Sequence, residues 1–243
     1  MINRNFDVIS AHEAKERYGY DIKNLSLFKG VEDSELIGNI ARGVDFAKFK
    51  KGQFVFRTGD HAEQLYLVVD GHVKIFYNTP EGKEQMLYVY NNGDFIGGLN
   101  LLSEDDYRYM GQCLSDSVVA IVKKEAFIEH ALQSPIVLKH MLSKSYERIR
   151  WAEDLISRLT ASNASIKAAW LILKLKDEFA TLKDGEYVLN LPMNREDMGS
   201  FAGLTRETIT RKLTEFKERG IIDFKGPRTL IIKDIDALRA FII

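Results

Sequence analysis

The chain has 243 residues, 45% hydrophobic and 28% charged, with 34 Lys plus Arg against 35 Asp plus Glu and a formal net charge of −1. Such a composition is globular, suits one large or two modest domains with ample core, and excludes a disordered chain. No apolar run approaches the ~20 residues of a membrane helix, the start Met1-Ile2-Asn3-Arg4-Asn5-Phe6 carries no apolar signal region, and the single Cys113 rules out an internal disulfide, so a reducing cytoplasm is the expected location.

Residues 1–20 form a charged lead-in to which the sequence gives no role. From Val44 to Val122 short β-rich runs alternate with glycine turns. Val44–Phe49 ends at Lys50-Lys51-Gly52, and Phe54–Phe56 stops at Thr58-Gly59-Asp60. Leu65–Val69 and His72–Tyr77 flank Asp70-Gly71, a hairpin signal. Met86–Tyr90 and Ser117–Val122 complete a series whose spacing means a small barrel, sandwich or roll. Helical signals follow. Lys124 to Leu132 predicts a short helix, and Pro135 opens a long one running to about Ala161. In it Leu142, Ile149 and Ile156 recur at a seven-residue step, with Ala152 and Leu159 at d-like positions, a short coiled-coil seam. A dimer helix is the expectation, packing against the chain's own β-rich part is the alternative, and one helix can serve both. Ser162-Asn163-Ala164-Ser165 is a hinge candidate, and Ile166–Phe179 a further helix. The implied division is a lead-in (1–20), a β-rich sensing domain (21–133), a dimerisation helix (134–162) and a C-terminal domain (163–243).

The C-terminal domain carries the most chemistry. Asn194 is a good N-cap for a short helix, Gly203 suits the turn between two helices crossing at a wide angle, and Thr205 caps a second helix. There Ile209, Leu213 and Phe216 fall at i, i+4, i+7 on one face, leaving Arg206, Glu207, Thr210 and Arg211 on the other. That is a helix-turn-helix, whose second helix meets base edges through its N-terminal half. Arg pairs bidentately with guanine, and Glu accepts from the cytosine amino group. After Gly220, the runs 221–224 and 230–232 flank Lys225-Gly226-Pro227-Arg228, a hairpin wing with a basic tip, where Lys225 and Arg228 reach phosphates. Between Asn194 and Arg228 the basic residues exceed the acidic ones only slightly, which predicts modest non-specific affinity and reliance on a specific site or a dimer.

In this order the elements resemble the CRP/FNR family of bacterial transcription regulators. The residues that carry the resemblance are Lys51–Asp60, a glycine-bounded turn; Leu65–Ile75, the central hairpin; Gly93-Asp94-Phe95-Ile96-Gly97, the entry to the effector cassette; and Thr205–Arg211, the recognition helix. The resemblance spans about residues 25–240. It implies an α+β fold with an N-terminal double-stranded β-roll of the cyclic-nucleotide-binding type, a long dimerisation helix and a C-terminal winged helix-turn-helix. It implies a homodimer on a palindromic DNA site related to TGTGA or TTGAT half-sites, with RNA polymerase and an unidentified small effector as further partners. Arg206, Glu207 and Arg211 then make the base contacts.

The same resemblance limits the effector. The family's oxygen-sensing branch holds an iron–sulfur cluster on four thiolates, and one cysteine cannot do this within the chain. The cyclic-AMP branch needs an acidic residue where Gly98 stands and a small hydroxyl residue where Tyr109 follows Arg108. Its adenine-facing Thr and Ser are replaced by Ala152 and Glu153. Gly97, Gly98, Leu99, Arg108 and Tyr109 form the candidate effector pocket, with Arg108 an anion ligand or a surface arginine. A haem sensor is the alternative, with His61, His72, His130, His140 and Cys113 as axial candidates. Another class, a ligand-binding module acting through protein contacts alone, is opposed by the Arg206–Arg211 cluster. An enzyme is not expected: there is no phosphate-cradling loop, metal-ligand cluster or nucleophile signature.

Overall fold

A computed structural model describes residues 7–159 and 163–242. They divide into two compact units, one gathering the chain up to Tyr77 together with Tyr88–Arg150, the other gathering Asn78–Leu87 with Trp151 onward.

The first unit opens with β1 (Asp7–Ser10) and α1 (Ala11–Tyr18). Ser10 caps α1 by accepting from Glu13 N, and Gly19 ends it in the left-handed conformation. Residues 7–18 of the lead-in are therefore part of the fold. β1 pairs antiparallel with β2 (Val44–Phe49), Asp7 opposite Lys48 and Ser10 opposite Asp45, and the ring of Tyr20 stacks on Phe46 at 5.9 Å. Between them lies α2 (Ser34–Ala41), capped by Asp33. The remaining strands are β3 (Phe54–Phe56), β4 (Gln64–Asp70), β5 (Val73–Asn78), β6 (Glu84–Tyr90), β7 (Phe95–Ile96), β8 (Met110–Cys113) and β9 (Ser117–Lys123). α3 (Gly98–Leu102) follows β7, and α4 (Lys124–Glu129) follows β9. Two sheets result, ordered β1-β2-β9-β4-β7 and β3-β8-β5-β6. The core beneath the first includes Phe46, Leu65, Phe95, Phe127, Val137 and Met141.

Asp70-Gly71 is not the hairpin turn that its sequence signals, and the run Leu65–Ile75 is not a central hairpin. β4 and β5 lie in different sheets, so the dipeptide is a corner between layers. The tight turn is needed for another reason. Gly71 has φ +92°, and a Cβ there would sit 2.3 Å from Ser117 Oγ and 2.7 Å from Asp116 O. A dipeptide pattern reports the local reversal but not the partner strand, which tertiary packing selects.

α5 (Pro135–Leu159) has two apolar faces. Val137 and Met141 are buried in the core of the first unit, while Leu142, Ile149 and Ile156 are 72%, 57% and 65% exposed. Ala152 is half-buried. The side chain of Leu159, and Ser162 of the hinge candidate, lie outside the described residues.

In the second unit Asn163 caps α6 (Ala164–Phe179), whose Ala168, Leu171, Ile172 and Leu175 are buried. A hairpin absent from the sequence reading follows, β10 (Ala180–Lys183) and β11 (Glu186–Asn190), turned by Asp184-Gly185 with both residues at positive φ, as a primed turn requires. Then come α7 (Arg195–Ala202), α8 (Arg206–Glu218), β12 (Ile222–Lys225), β13 (Thr229–Ile232) and α9 (Ile235–Arg239). The strands form one sheet, β10-β11-β13-β12, so the wing is the outer half of a four-stranded sheet. Trp151 stacks on Phe201 at 5.7 Å and donates its indole N–H to Leu87 O at 3.0 Å, and Met86 N donates to Ser200 Oγ at 2.8 Å, all inside this unit.

The two glycine types separate strain from clash. Gly59, at φ +86°, has nothing within 4 Å of a Cβ, whereas Gly71 has backbone there. Gly59→Ala should cost about 1 kcal/mol and Gly71→Ala about 3 kcal/mol, read by urea unfolding followed by circular dichroism. Equal costs would show that conformation alone sets both.

Candidate nucleic-acid interface and effector pocket

The nucleic-acid interface is built from the turn outward. At the start of α7, Asn194 Oδ1 accepts from Glu196 N at 2.8 Å and Asp197 N at 2.9 Å, and Asn194 N donates to Asp197 Oδ2 at 3.1 Å, a reciprocal capping box. Gly203 ends α7 in the left-handed conformation. Gly199, four residues earlier, lets the chain double back. Leu204 N donates to Gly199 O at 2.9 Å, and a Cβ on Gly199 would meet Leu204 O at 2.9 Å. Thr205 then caps α8, its Oγ1 accepting from Thr208 N at 3.2 Å. Ile209, Leu213 and Phe216 are buried, which fixes the rotation of α8 about its axis.

With that face buried, Thr205, Arg206, Glu207, Thr210 and Arg211 are all exposed together on the outer side. Glu207 is held below the ordinary carboxylate value, first by its own backbone N–H and then by the Thr205 hydroxyl, so it stands ionised as an acceptor. Thr210 differs from its neighbours. Its hydroxyl donates to Arg206 O at 2.7 Å, leaving only acceptor capacity for a ligand. Lys225 and Arg228 are exposed at the tip of the β12–β13 wing around Gly226, and Arg228 O accepts from Leu191 N at 2.9 Å, tying the wing's return strand to its own unit. Arg195, which the sequence reading counts only among the basic residues of this segment, is half-buried with its guanidinium 4.3 Å from the Phe224 ring centroid. It braces the wing strand.

The residues expected to line an effector pocket do not converge. Gly97 has φ +87°, and a Cβ would lie 2.4 Å from the Tyr107 hydroxyl. Gly98 is buried, with Leu65 Cδ1, Met141 Cε and Phe95 Cε2 within 3.5 Å of a Cβ position, so an acidic side chain has no room there without displacing core. Leu99 is exposed, and Arg108 points to solvent, 83% exposed and 3.7 Å from Asp105. Tyr109 turns inward. Its hydroxyl donates to Asn100 Oδ1 at 2.9 Å, and burial pushes its phenol above the ordinary value.

A different, half-buried cation packs on aromatic rings of the first unit. The guanidinium of Arg148, on α5, donates to Phe95 O and lies 4.5 Å from the Phe95 ring and 4.8 Å from the Tyr90 ring. One turn earlier, Lys144 pairs with Asp94 at 3.1 Å. Sequence reasoning missed Arg148, although a signal exists: it falls seven residues after Met141 and seven before Leu155, both buried.

The haem-ligand candidates are dispersed. His61 pairs with Asp106 at 2.8 Å on the surface. His72 is half-buried against Ser115 Oγ, and burial lowers its pKa. His130 ends α4, and His140 Nδ1 donates to Leu27 O at 3.0 Å. Among the described residues no group of three or more His, Cys, Asp or Glu could hold a metal ion.

Cys113, on β8, is buried, and burial pushes its thiol up to about 11 from 9.0. A raised thiol pKa favours the neutral folded form, so this group's contribution to stability is present below pH 9 and is lost as pH rises towards 11. At pH 8 the native thiol should react with a chromogenic disulfide at least ~100-fold more slowly than the urea-unfolded chain, followed by absorbance. Equal rates would show an accessible thiolate.

Residues 46–134 match the family model of a cyclic nucleotide-binding domain, and residues 167–241 that of a Crp-like helix-turn-helix domain. The chain is similar to the fumarate and nitrate reduction regulatory protein of Salmonella typhimurium, 30% identical over 191 residues covering 79% of this chain and 76% of the relative. It is also similar to the CRP-like cAMP-activated global transcriptional regulator of Mycobacterium tuberculosis, 24% identical over 212 residues covering 87% and 94%. Among solved structures, FixK2 from Bradyrhizobium japonicum superposes with a TM-score of 0.73 at 25% identity, covering 82% of this chain and 96% of that one. Both family domains follow one another in the expected order, and a regulator matches across most of its own length: the protein is a transcription regulator that belongs to the CRP/FNR family.

Proposed function

We propose that this regulator acts as a cytoplasmic homodimer on a palindromic DNA site related to TGTGA or TTGAT half-sites. Arg206, Glu207 and Arg211 of α8 read bases, and Lys225 and Arg228 of the wing hold phosphates. The observation that carries this reading is the outer face of α8: a helix capped at Thr205 and locked by three buried side chains, with two arginines and an ionised glutamate displayed side by side. Arg and Glu on the N-terminal half of such a helix match guanine and cytosine edges in the major groove. Thr205 stays the cap, and Thr210, with its proton given to the helix backbone, accepts at most.

The dimer reading rests on α5. Leu142, Ile149 and Ile156 make an exposed stripe at a heptad step, continued by Tyr146 at 60% exposure, and a second copy of the same helix covers it. RNA polymerase is the further partner that this mode of action implies.

Two effectors named for the family do not fit the residues present. Four thiolates are needed for an iron–sulfur cluster and the chain has one cysteine. Cyclic AMP meets the packed Gly98, an outward Arg108 and the Arg148 guanidinium already seated on Phe95 and Tyr90. Neither is the effector we propose for this chain.

Arg206→Ala and Glu207→Ala should each relax preference at one base-pair position by about 1–3 kcal/mol, measured by fluorescence anisotropy on a set of single-substitution duplexes. A uniform loss on every duplex would assign these residues to the phosphate backbone instead. Ile149→Asp should convert the protein to a monomer in sedimentation analysis, with duplex affinity falling by at least ~100-fold as the second half-site contact is lost. A variant that remains dimeric would remove α5 from the interface.

A further inference from the structure

The lead-in that precedes the matched family domain builds a cavity of its own. Residues from β1, α1, α2 and the start of β2 line an open hollow of about 540 Å³, within the usual range for a small-molecule site. Its floor is apolar, formed by the buried Ile22, Ile37 and Val44. Its rim is charged, with three fixed cations against two carboxylates. Lys15, Lys23 and Arg42 line it with His12, against the two carboxylates Asp21 and Asp45. Both carboxylates already have partners, Asp21 with Lys15 at 2.9 Å and Asp45 with Lys123 at 3.4 Å. Lys23 faces Asp21, whose carboxyl its charge helps to hold below the ordinary value after the larger effect of Lys15, while among the described residues Arg42 is in no ion pair and donates to the neutral amide oxygen of Asn39.

A second observation points the same way. Gly38 sits inside α2, where glycine is among the poorest helix formers. Neither conformation nor packing requires it: its φ is not in the left-handed region, and a Cβ at that position would meet nothing within 4 Å. Gly38 lines the cavity, so what the missing side chain preserves is open space.

We infer that this cavity binds a small amphipathic anion, a chain of about ten carbons ending in a carboxylate, with the tail on Ile22, Ile37 and Val44 and the head between Lys23 and Arg42. The site is made by residues outside the segment matching the cyclic nucleotide-binding domain, and binding there does not depend on how α8 reads DNA.

The test is calorimetric titration of the full-length protein with decanoate and, in parallel, with decanol. Decanoate should bind once per chain with a dissociation constant of the order of 100 µM, and decanol at least ~10-fold more weakly, since it keeps the tail and lacks the charge. Gly38→Leu should fill the cavity and abolish decanoate binding while melting no lower than the parent protein. The surface substitution Arg42→Glu should weaken decanoate at least ~10-fold with an unchanged circular dichroism spectrum. Absence of decanoate binding, equal binding of decanol, or undiminished binding by both variants would overturn the assignment.

Discussion

One helix has to satisfy two apolar faces, and much of the molecule depends on that requirement. α5 buries Val137 and Met141 in the core of the first unit and leaves Leu142, Ile149 and Ile156 exposed. An apolar stripe exposed at a heptad step has the pattern of a coiled-coil seam, which is why the proposed dimer is placed there. The residues of α5 also belong to both compact units, up to Arg150 in one and from Trp151 in the other. Arg148 adds a polar anchor on the inward side, through a carbonyl and two aromatic rings.

Local chemistry was the part of the fold most legible in the sequence. The caps Asn194 and Thr205, the turn at Gly203 and the buried row Ile209, Leu213 and Phe216 follow from spacing, because each depends on residues within a few positions of one another. The position and exposure of Arg206, Glu207 and Arg211 follow in turn. The stripe of Leu142, Ile149 and Ile156 on α5 was legible for the same reason, since a period of seven is local, and these side chains are exposed.

Features that depend on distant packing were less legible. Asp70-Gly71 marks a reversal, but whether the flanking strands pair is decided by β7 and β9 on one side and β6 and β8 on the other. β1 lies in a charged lead-in with only Val8 and Ile9 to suggest a strand, and it forms because β2 offers a free edge. The Asp184-Gly185 hairpin was in principle readable, since it has the residues of a primed turn, but its flanks lack clean alternation. In the effector region the chain position of Arg108 suggested an anion site, whereas the fold turns it to solvent and brings Arg148 in from another element. No local pattern encodes that exchange.

The central claim is that two copies of α8, held by the α5 seam, read two half-sites at a fixed separation. The most direct measurement is the affinity of the ligand-free protein for a duplex carrying both half-sites, compared with the same duplex after five base pairs are inserted between them. The insertion turns one half-site by about half a helical turn relative to the other. Affinity should fall on the shifted duplex to that of a single half-site, at least ~10-fold below the parent. Equal affinity for the two duplexes would contradict the account, because each copy would then be reading DNA alone.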